Sequence, residues 1–127
     1  MKVSLHQQDL IKIENLVVLC RHLKILYLQN NIIEKMENLN KLKELEYLNL
    51  ALNNITKIEN IEGCESLKKL DMTVNFIDVM DLHDSVICLS KLPNIKEVYF
   101  TGNPCESWVG CKDYVIAHVL TLESYNG

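Results

Sequence analysis

The sequence predicts an α/β solenoid, a fold in which one short structural unit is stacked several times along an axis. Three observations support this prediction: a motif that recurs at a fixed spacing, an asparagine at the same place in each copy, and a second apolar pattern that follows each copy. Stacked units of this kind bury one continuous core, with a parallel β-sheet on the concave face. The chain of 127 residues is long enough for a single such domain.

The recurring motif has the form L-x-x-L-x-L-x-x-N. It begins at Leu23, Leu45 and Leu67, which are 22 residues apart, and again at Ile95 after 28 residues, while a partial copy surrounds Val3. This is the leucine-rich-repeat pattern. It divides the chain into repeats at about 1–22, 23–44, 45–66, 67–94 and 95–103, followed by a cap at 104–127.

The L-x-L segment of each repeat is expected to be a short strand with its leucine side chains pointing inward. After the strand the backbone turns inside the solenoid, where its polar groups need hydrogen-bond partners other than water. The asparagine of each motif is expected to supply them. The predicted asparagine ladder comprises Asn31, Asn53, Asn75 and Asn103.

Apolar residues at three-residue spacing follow each strand, and this spacing predicts a tight helical segment on the convex side. The residues concerned are Leu10, Ile13, Leu16 and Cys20, then Ile33, Met36, Leu39 and Leu42, then Ile55, Ile58, Ile61 and Cys64. The six additional residues of the 28-residue spacing lie in the stretch 81–88 and are expected to enlarge the convex side without disturbing the sheet.

The two ends of the solenoid are expected to differ. An apolar pattern over residues 114–122 predicts an amphipathic helix and a return segment that cover the last strand. The apolar positions there are Tyr114, Val115, Val119, Leu120 and Leu122. At the other end nothing precedes the strand around Val3, so we expect a first turn that is frayed or paired with another molecule, and a chain that belongs to a longer protein.

Composition and motifs argue against catalysis and against small-molecule cofactors. The net charge is −4 and basic residues alternate with acidic ones, which disfavours a nucleic-acid partner. The five cysteines form no Cys-x-x-Cys pair, and the histidines, including His83 beside two aspartates, form no predicted metal site or catalytic set. No apolar stretch reaches membrane-spanning length. We therefore expect a cytoplasmic, non-enzymatic protein with reduced thiols, without a metal, cofactor, membrane or nucleic-acid partner.

The outward-facing residues of the strands are the candidate site. They include apolar, aromatic and charged side chains close together, a composition that is typical of protein interfaces. Strand propensity alone also favours tyrosine, so the structural interpretation of these residues stays open. The predicted protein-binding residues are Ile25, Tyr27, Tyr47, Asn49, Leu52, Lys69, Asp71, Val74 and Tyr99.

The repeat and its closing Asn103-Pro104 resemble the SDS22-like class of leucine-rich repeats, a horseshoe with a parallel concave sheet and a C-terminal helical cap. Four segments also resemble the tilB-like (seahorse) dynein axonemal assembly factors: LHQQ at 5–8, CRHLKILYLQNN at 20–31, LEYLNLALNN at 45–54 and TVNFI at 73–77. The resemblance includes outward positions that the fold does not dictate. These positions are Tyr27, Gln29, Tyr47, Asn49, Ala51, Leu52, Thr73 and Val74.

This resemblance implies a cytoplasmic scaffold for preassembly of dynein arms for cilia or flagella, acting with Hsp90-type chaperone machinery, a zinc-MYND-domain protein and dynein chains. In that family a coiled coil and a CS-like β domain follow the repeats. The cap departs from the family pattern, with WVGCK at 108–112 in place of an aromatic-Asp-x-aromatic-Arg sequence and no proline near Leu120. Partner contacts through the cap are therefore not carried over. An axonemal dynein light chain or other SDS22-like adaptor, and an RNP subunit, stay as alternatives.

Overall fold

A computed structural model describes residues 1–15 and 20–127. Its strands form one parallel sheet in which sequence order and spatial order agree, from β1 to β6. The strands are β1 (Lys2–Ser4), β2 (Ile25–Tyr27), β3 (Tyr47–Asn49), β4 (Lys69–Asp71), β5 (Glu97–Tyr99) and β6 (Ser124–Tyr125). The helices of the described residues are α1 (Val79–Ser90), a 3₁₀ helix (Pro104–Ser107) and α2 (Cys111–His118). The predicted leucine-rich-repeat solenoid is confirmed.

In strands β2 to β5 the register places one residue of each strand in the core and two outside it. Leu26 pairs with Leu48 and Leu48 with Leu70, and all three are fully buried. The outward neighbours Tyr47 and Lys69 pair directly beside them. Because side chains alternate across a strand, a single register places all inward leucines in one continuous core. At the first turn β1 pairs with β2, and the expected fraying there stays a prediction.

The asparagine ladder is buried and its hydrogen bonds run between turns. Asn53 accepts a hydrogen bond at Oδ1 from the amide of Ile33 (3.0 Å), and its Nδ2 donates to the carbonyls of Leu28 and Leu50 (both 3.0 Å). The other three members of the ladder make equivalent bonds. Each asparagine thus satisfies backbone groups that lie out of reach of water, as predicted.

The convex side differs from the prediction in the second and third turns. Residues 33–44 and 55–66 contain no helix, although their predicted apolar positions are buried as expected. Asn38 and Asn60 have positive φ angles of 60° and 61°, which a right-handed helix does not accommodate. Their Nδ2 atoms donate to the carbonyls of Ile13 (2.6 Å) and Met36 (2.8 Å) on the preceding turn. A second asparagine ladder therefore replaces the predicted helices.

The first-turn apolar pattern is only partly described. Leu16 lies outside the described residues. Cys20 is half-buried and packs against the core, and Cys64 is fully buried, so both cysteines occupy the predicted core side.

The additional residues of the long repeat form α1 on the convex side and leave the sheet register unchanged, as predicted. The Asp78 side chain caps this helix by accepting a hydrogen bond from the amide of Val79 (2.7 Å). One face of α1 enters the core. There the hydroxyl of buried Ser85 accepts a hydrogen bond from the amide of Ile58 (2.9 Å), which joins the helix to the preceding turn.

The C-terminal cap covers β5, as predicted, and adds the short strand β6 to the sheet edge. Glu106 holds this strand by accepting hydrogen bonds from the Tyr125 hydroxyl (2.9 Å) and from Nδ2 of Asn126 (2.6 Å). The predicted inward position of Leu120 is wrong. Its side chain is 88% exposed, because α2 ends at His118 and the chain turns before it returns to the sheet.

Candidate protein-binding face

The parallel register aligns the outward residues of the strands in two columns on the concave face. Ile25, Tyr47, Lys69 and Glu97 form one column, and Tyr27, Asn49, Asp71 and Tyr99 form the next. These strand residues are half-buried against one another. The structure therefore brings the strand members of the predicted site together on one surface.

Aromatic rings and ammonium groups make a continuous row across this face, the cation–aromatic row of Tyr27, Tyr47, Lys69 and Tyr99. At its N-terminal end the ammonium nitrogen of Lys2 lies 5.1 Å from the ring centre of Tyr27. The rings of Tyr27 and Tyr47 meet edge to face with centroids 5.5 Å apart. The ammonium nitrogen of Lys69 lies 4.6 Å from the ring centre of Tyr47 and 5.4 Å from that of Tyr99. Such contacts hold large amphipathic side chains in fixed positions, so the row presents a preformed surface.

The polar residues of the face bond mainly to their own turns. Asp71 accepts hydrogen bonds from the amide of Thr73 (2.9 Å) and from its hydroxyl (2.6 Å). The side-chain oxygen of Asn49 accepts from the amide of Ala51 in the equivalent way (3.0 Å). These two residues therefore fix the backbone at the strand exit and leave part of their polar surface toward the concave side.

The Tyr47 phenol stays protonated over the physiological range. Burial raises its pKa above the usual value of 10.0, and the negative charge of Asp71 acts in the same direction, against the opposing effect of Lys69. The Lys69 ammonium lies 3.9 Å from a carboxylate oxygen of Glu97, so its charge is partly compensated within the face. The row thus joins its aromatic rings to two ammonium groups, those of Lys2 and Lys69.

Leu52 and Val74 lie just beyond the strands and are exposed. Both have positive φ angles, 58° and 54°, a region that is costly for a leucine and more so for a β-branched valine. The equivalent residues of neighbouring turns are Gln7, Asn30 and Gly102, which share this conformation. Leu52 and Val74 belong to the predicted site, but their backbone conformation was not predicted. The Asn and Gly at the same repeat position are the sequence signal that indicates it.

His83, the histidine that the sequence places beside two aspartates, is exposed on α1 and contacts the cap. Nδ1 of His83 lies 2.5 Å from the Tyr114 hydroxyl oxygen, between α1 and α2. Across residues 1–15 and 20–127, no cluster of three or more His, Cys, Asp or Glu side chains could hold a metal ion. Within the same ranges, no helix has the length and apolar character needed to span a bilayer.

Fold and face together define a leucine-rich-repeat protein, and comparison with known proteins agrees. The family model described as "Leucine rich repeat" matches residues 21–77. Among solved structures, the Drosophila melanogaster SNF/U2A' complex contains a chain that matches with a TM-score of 0.84 and 22% identity, over 98% of this chain and 71% of that one. Internalin C2 of Listeria monocytogenes matches with a TM-score of 0.74 and 23% identity, over 96% and 49%. Both likenesses concern the fold.

Particular relatives lie closer in sequence. The chain is 56% identical over 126 residues to "Dynein axonemal assembly factor 11" of Danio rerio, and 52% identical to the Homo sapiens protein of the same name. It is 51% identical over 123 residues to "Protein tilB" of Drosophila melanogaster. These matches cover 97 to 99% of this chain but only 26 to 30% of the relatives. The resemblance to tilB-like dynein assembly factors is thus confirmed, and the chain spans about a quarter to a third of their length.

Proposed function

We propose that this chain is a non-enzymatic scaffold in the cytoplasmic preassembly of axonemal dynein arms and that its concave face holds a protein partner. The observation that carries the proposal is the identity of 51 to 56%, over almost the whole chain, to relatives named as dynein axonemal assembly factors or tilB. Fold likeness alone would leave the function open, since leucine-rich repeats serve many purposes.

The concave face is the surface that best fits this role. Its outward side chains are not needed to fill the core, yet they form the ordered cation–aromatic row instead of a solvated charged surface. Tyrosine side chains offer large contact area and hydroxyl groups at a low entropy cost on binding. Ile25 and the exposed Leu52 and Val74 extend the row with apolar surface.

The partners we propose are those that the family resemblance implies: dynein chains, a zinc-MYND-domain assembly factor and chaperone machinery of the Hsp90 type. A scaffold of this kind works in the cytoplasm, before the dynein arms enter cilia or flagella. It needs no cofactor, because its contribution is to hold assembling proteins in a fixed arrangement.

Affinity capture tests the proposal. Tagged chain is incubated with the cytoplasmic fraction of ciliated cells, and co-purifying axonemal dynein heavy chains are quantified by mass spectrometry. The variant Tyr27→Ser/Tyr47→Ser/Tyr99→Ser is compared with a convex-side control, Lys35→Ser/Lys41→Ser/Glu65→Ser. We expect capture by wild type and control and a loss of about tenfold or more in the tyrosine variant, since buried aromatic anchors dominate interface energies.

Circular dichroism establishes that the tyrosine variant keeps its fold before capture is compared. Equal capture by a folded tyrosine variant would contradict the role of the concave face. If the protein instead co-purifies with finished axonemes and is absent from cytoplasmic assembly complexes, the assembly role is wrong and the light-chain alternative is favoured.

A further inference from the structure

Beyond the cation–aromatic row, the concave face continues into a strip at the edge of the sheet where the strands end. Here Ile32, Leu52, Val74 and Phe76 are 44%, 45%, 42% and 54% exposed, and we name these four residues the apolar rim. Backbone hydrogen bonds bring successive turns together at this edge: the amide of Leu52 donates to the Thr73 carbonyl (2.9 Å). The rim is therefore one side of a continuous surface and not a set of scattered apolar residues.

In the second to fifth turns, the strip that carries the apolar rim contains no ionisable side chain. Four aligned segments, 29–32, 51–54, 73–76 and 101–104, lack Asp, Glu, Lys, Arg and His altogether, although charged residues make up 24% of the chain. The first-turn segment, 6–9, does contain His6 and Asp9. Each of the four uncharged segments includes exposed positions. Solubility favours charges at such positions, whereas the centres of protein interfaces are depleted in them. A partner that fits here must also be uncharged, because a buried charge would find no counter-ion.

Backbone strain marks two of the four rim residues. Leu52 and Val74 adopt left-handed φ angles that asparagine or glycine would adopt at lower cost, and the neighbouring turns do carry Asn30 and Gly102 at this position. Burial recovers only part of this cost in the free chain, since Leu52 and Val74 are 45% and 42% exposed. Departures from local preference that bring no gain within the fold tend to occur at functional sites.

Gly102 keeps the rim open on its C-terminal side. A Cβ atom at this residue would lie 2.8 Å from Cγ2 of Val74, closer than van der Waals contact allows. Any side chain at this position would therefore collide with Val74 and cover its outer face. The absence of that side chain leaves Val74 accessible between the third and fifth turns.

We propose that the apolar rim is a docking site for an uncharged, apolar segment of a protein partner, lying beside the cation–aromatic row. The missing charges determine the chemistry of this segment, and the exposed Leu52, Val74 and Phe76 provide its contacts. The proposal rests on the protein-binding role proposed above, but not on dynein being the partner.

Selection from a displayed library of random dodecapeptides on the wild-type chain tests this proposal. The selected peptides are then measured against the Leu52→Asn/Val74→Asn variant, and Met80→Gln serves as the control, because Met80 is an exposed apolar residue on α1. We expect apolar peptides without charged residues that bind the rim variant about tenfold more weakly and the control unchanged. The rim variant is also expected to melt about 3 °C or more above wild type, because asparagine relieves the strain.

Several results would overturn the proposal: charged peptides, peptides that bind the rim variant as tightly as wild type, or no enriched peptide. A melting temperature below wild type in the rim variant would contradict the strain argument. Sedimentation that shows a wild-type dimer and a monomeric variant would identify a second copy as the occupant and refute a partner segment. If peptides bind in a rim-dependent way but the chain captures no dynein, only the proposed function is wrong. If the chain captures dynein but the selected peptides bind independently of the rim, only this inference is wrong.

Discussion

The inward and outward sides of the same strands follow different rules. On the inward side, Leu26, Leu48 and Leu70 are interchangeable from turn to turn and fully buried. On the outward side, the residues adjacent to them in the register change character with every turn, from Tyr47 to Lys69. Repetition is what stacking requires, since each turn must fit the next. Variation between turns on an ordered face points to selection for something other than folding.

This difference teaches where substitutions should affect stability and where they should affect binding. The inward side consists of apolar side chains and of amides whose bonds cross from turn to turn, so a substitution there disturbs two turns at once. The outward side consists of half-exposed side chains that pack on one another, and a substitution there leaves the core intact. Substitutions on the inward side should therefore cost the most stability, and substitutions on the outward side the least.

Replacing Asn53 by alanine should have the largest effect. The substitution leaves the Ile33 amide unpaired inside the core and removes one of two amide donors from each of the Leu28 and Leu50 carbonyls, which keep their bonds to other ladder members. An unpaired buried amide costs about 1–3 kcal/mol and each lost hydrogen bond about 0.5–1.5 kcal/mol, so we expect the unfolding free energy to fall by about 3 kcal/mol in urea denaturation. The exposed neighbour Asn54 provides the control, because Asn54→Ala should change the unfolding free energy by less than about 0.5 kcal/mol. Equal effects of the two substitutions would contradict the ladder's structural role.

Alkaline pH should cause the second-largest loss of stability, through two thiols buried in the core. Burial raises the pKa of Cys64 and of Cys88 from 9.0 to about 12, because both thiols lie in the core where the thiolate is poorly solvated. Their stabilising contribution is complete below about pH 9 and is lost as pH rises from 9 through 12. We expect each thiol to contribute roughly 1–2 kcal/mol to the loss between pH 8 and pH 10.5.

Urea denaturation of Cys64→Ala/Cys88→Ala at the same two pH values isolates this contribution from other titrating groups. The pH-dependent loss should be smaller in the variant than in wild type. If the two proteins lose the same free energy, the buried thiols are not the cause.

Ser85→Ala should have an intermediate effect. The buried Ser85 hydroxyl accepts a hydrogen bond from the Ile58 amide where α1 packs on the third turn. Without the hydroxyl this amide would be unpaired. We expect a loss of about 1–2 kcal/mol, measured by thermal or urea denaturation. Ser90 is exposed at the end of the same helix, so Ser90→Ala is the matched control and should lie within about 0.5 kcal/mol of wild type. A larger effect at Ser90 would show that helix propensity, not the buried hydrogen bond, governs this contact.

Lys69→Met on the outward side should have the smallest effect on stability. It removes the ammonium between Tyr47 and Tyr99 but keeps the apolar stem, and partly exposed charge contacts contribute less than about 1 kcal/mol. The pKa of Tyr47 should rise further, because Lys69 is the charge that lowers it. Ultraviolet titration of the tyrosines measures this shift. A fall in the pKa, or a stability loss comparable to that of Asn53→Ala, would contradict the account of the cation–aromatic row.

The repeat made most of the fold predictable. The spacing from Leu23 to Leu45 and Leu67 fixes the strands and their register, and the single inserted stretch could only enlarge the convex side. The convex helices were predicted wrongly because three-residue apolar spacing arises equally in an extended turn that buries every third residue. The signal against a helix was present in Asn38 and Asn60, which recur at one repeat position and tolerate positive φ.

The candidate site was predictable in position but not in geometry. The register that buries Leu48 also faces Tyr47 and Asn49 outward, so the columns follow from the pattern. The sandwich of Lys69 between two rings and the left-handed conformation of Val74 depend on contacts between turns, which a single repeat does not specify. The prediction that Leu120 points inward was wrong for a related reason. The end of α2 is set by the return of the chain to β6 and not by local periodicity.

Footprinting of tyrosines tests the central claim, that the concave face holds the partner, most directly. Hydroxyl-radical modification is measured for the chain alone and for the chain bound to axonemal dynein assembly complexes. The account predicts that Tyr27, Tyr47 and Tyr99 become protected on binding while Tyr114, a half-buried tyrosine of the cap, does not change. Protection of Tyr114 with unchanged modification of the three concave tyrosines would contradict it.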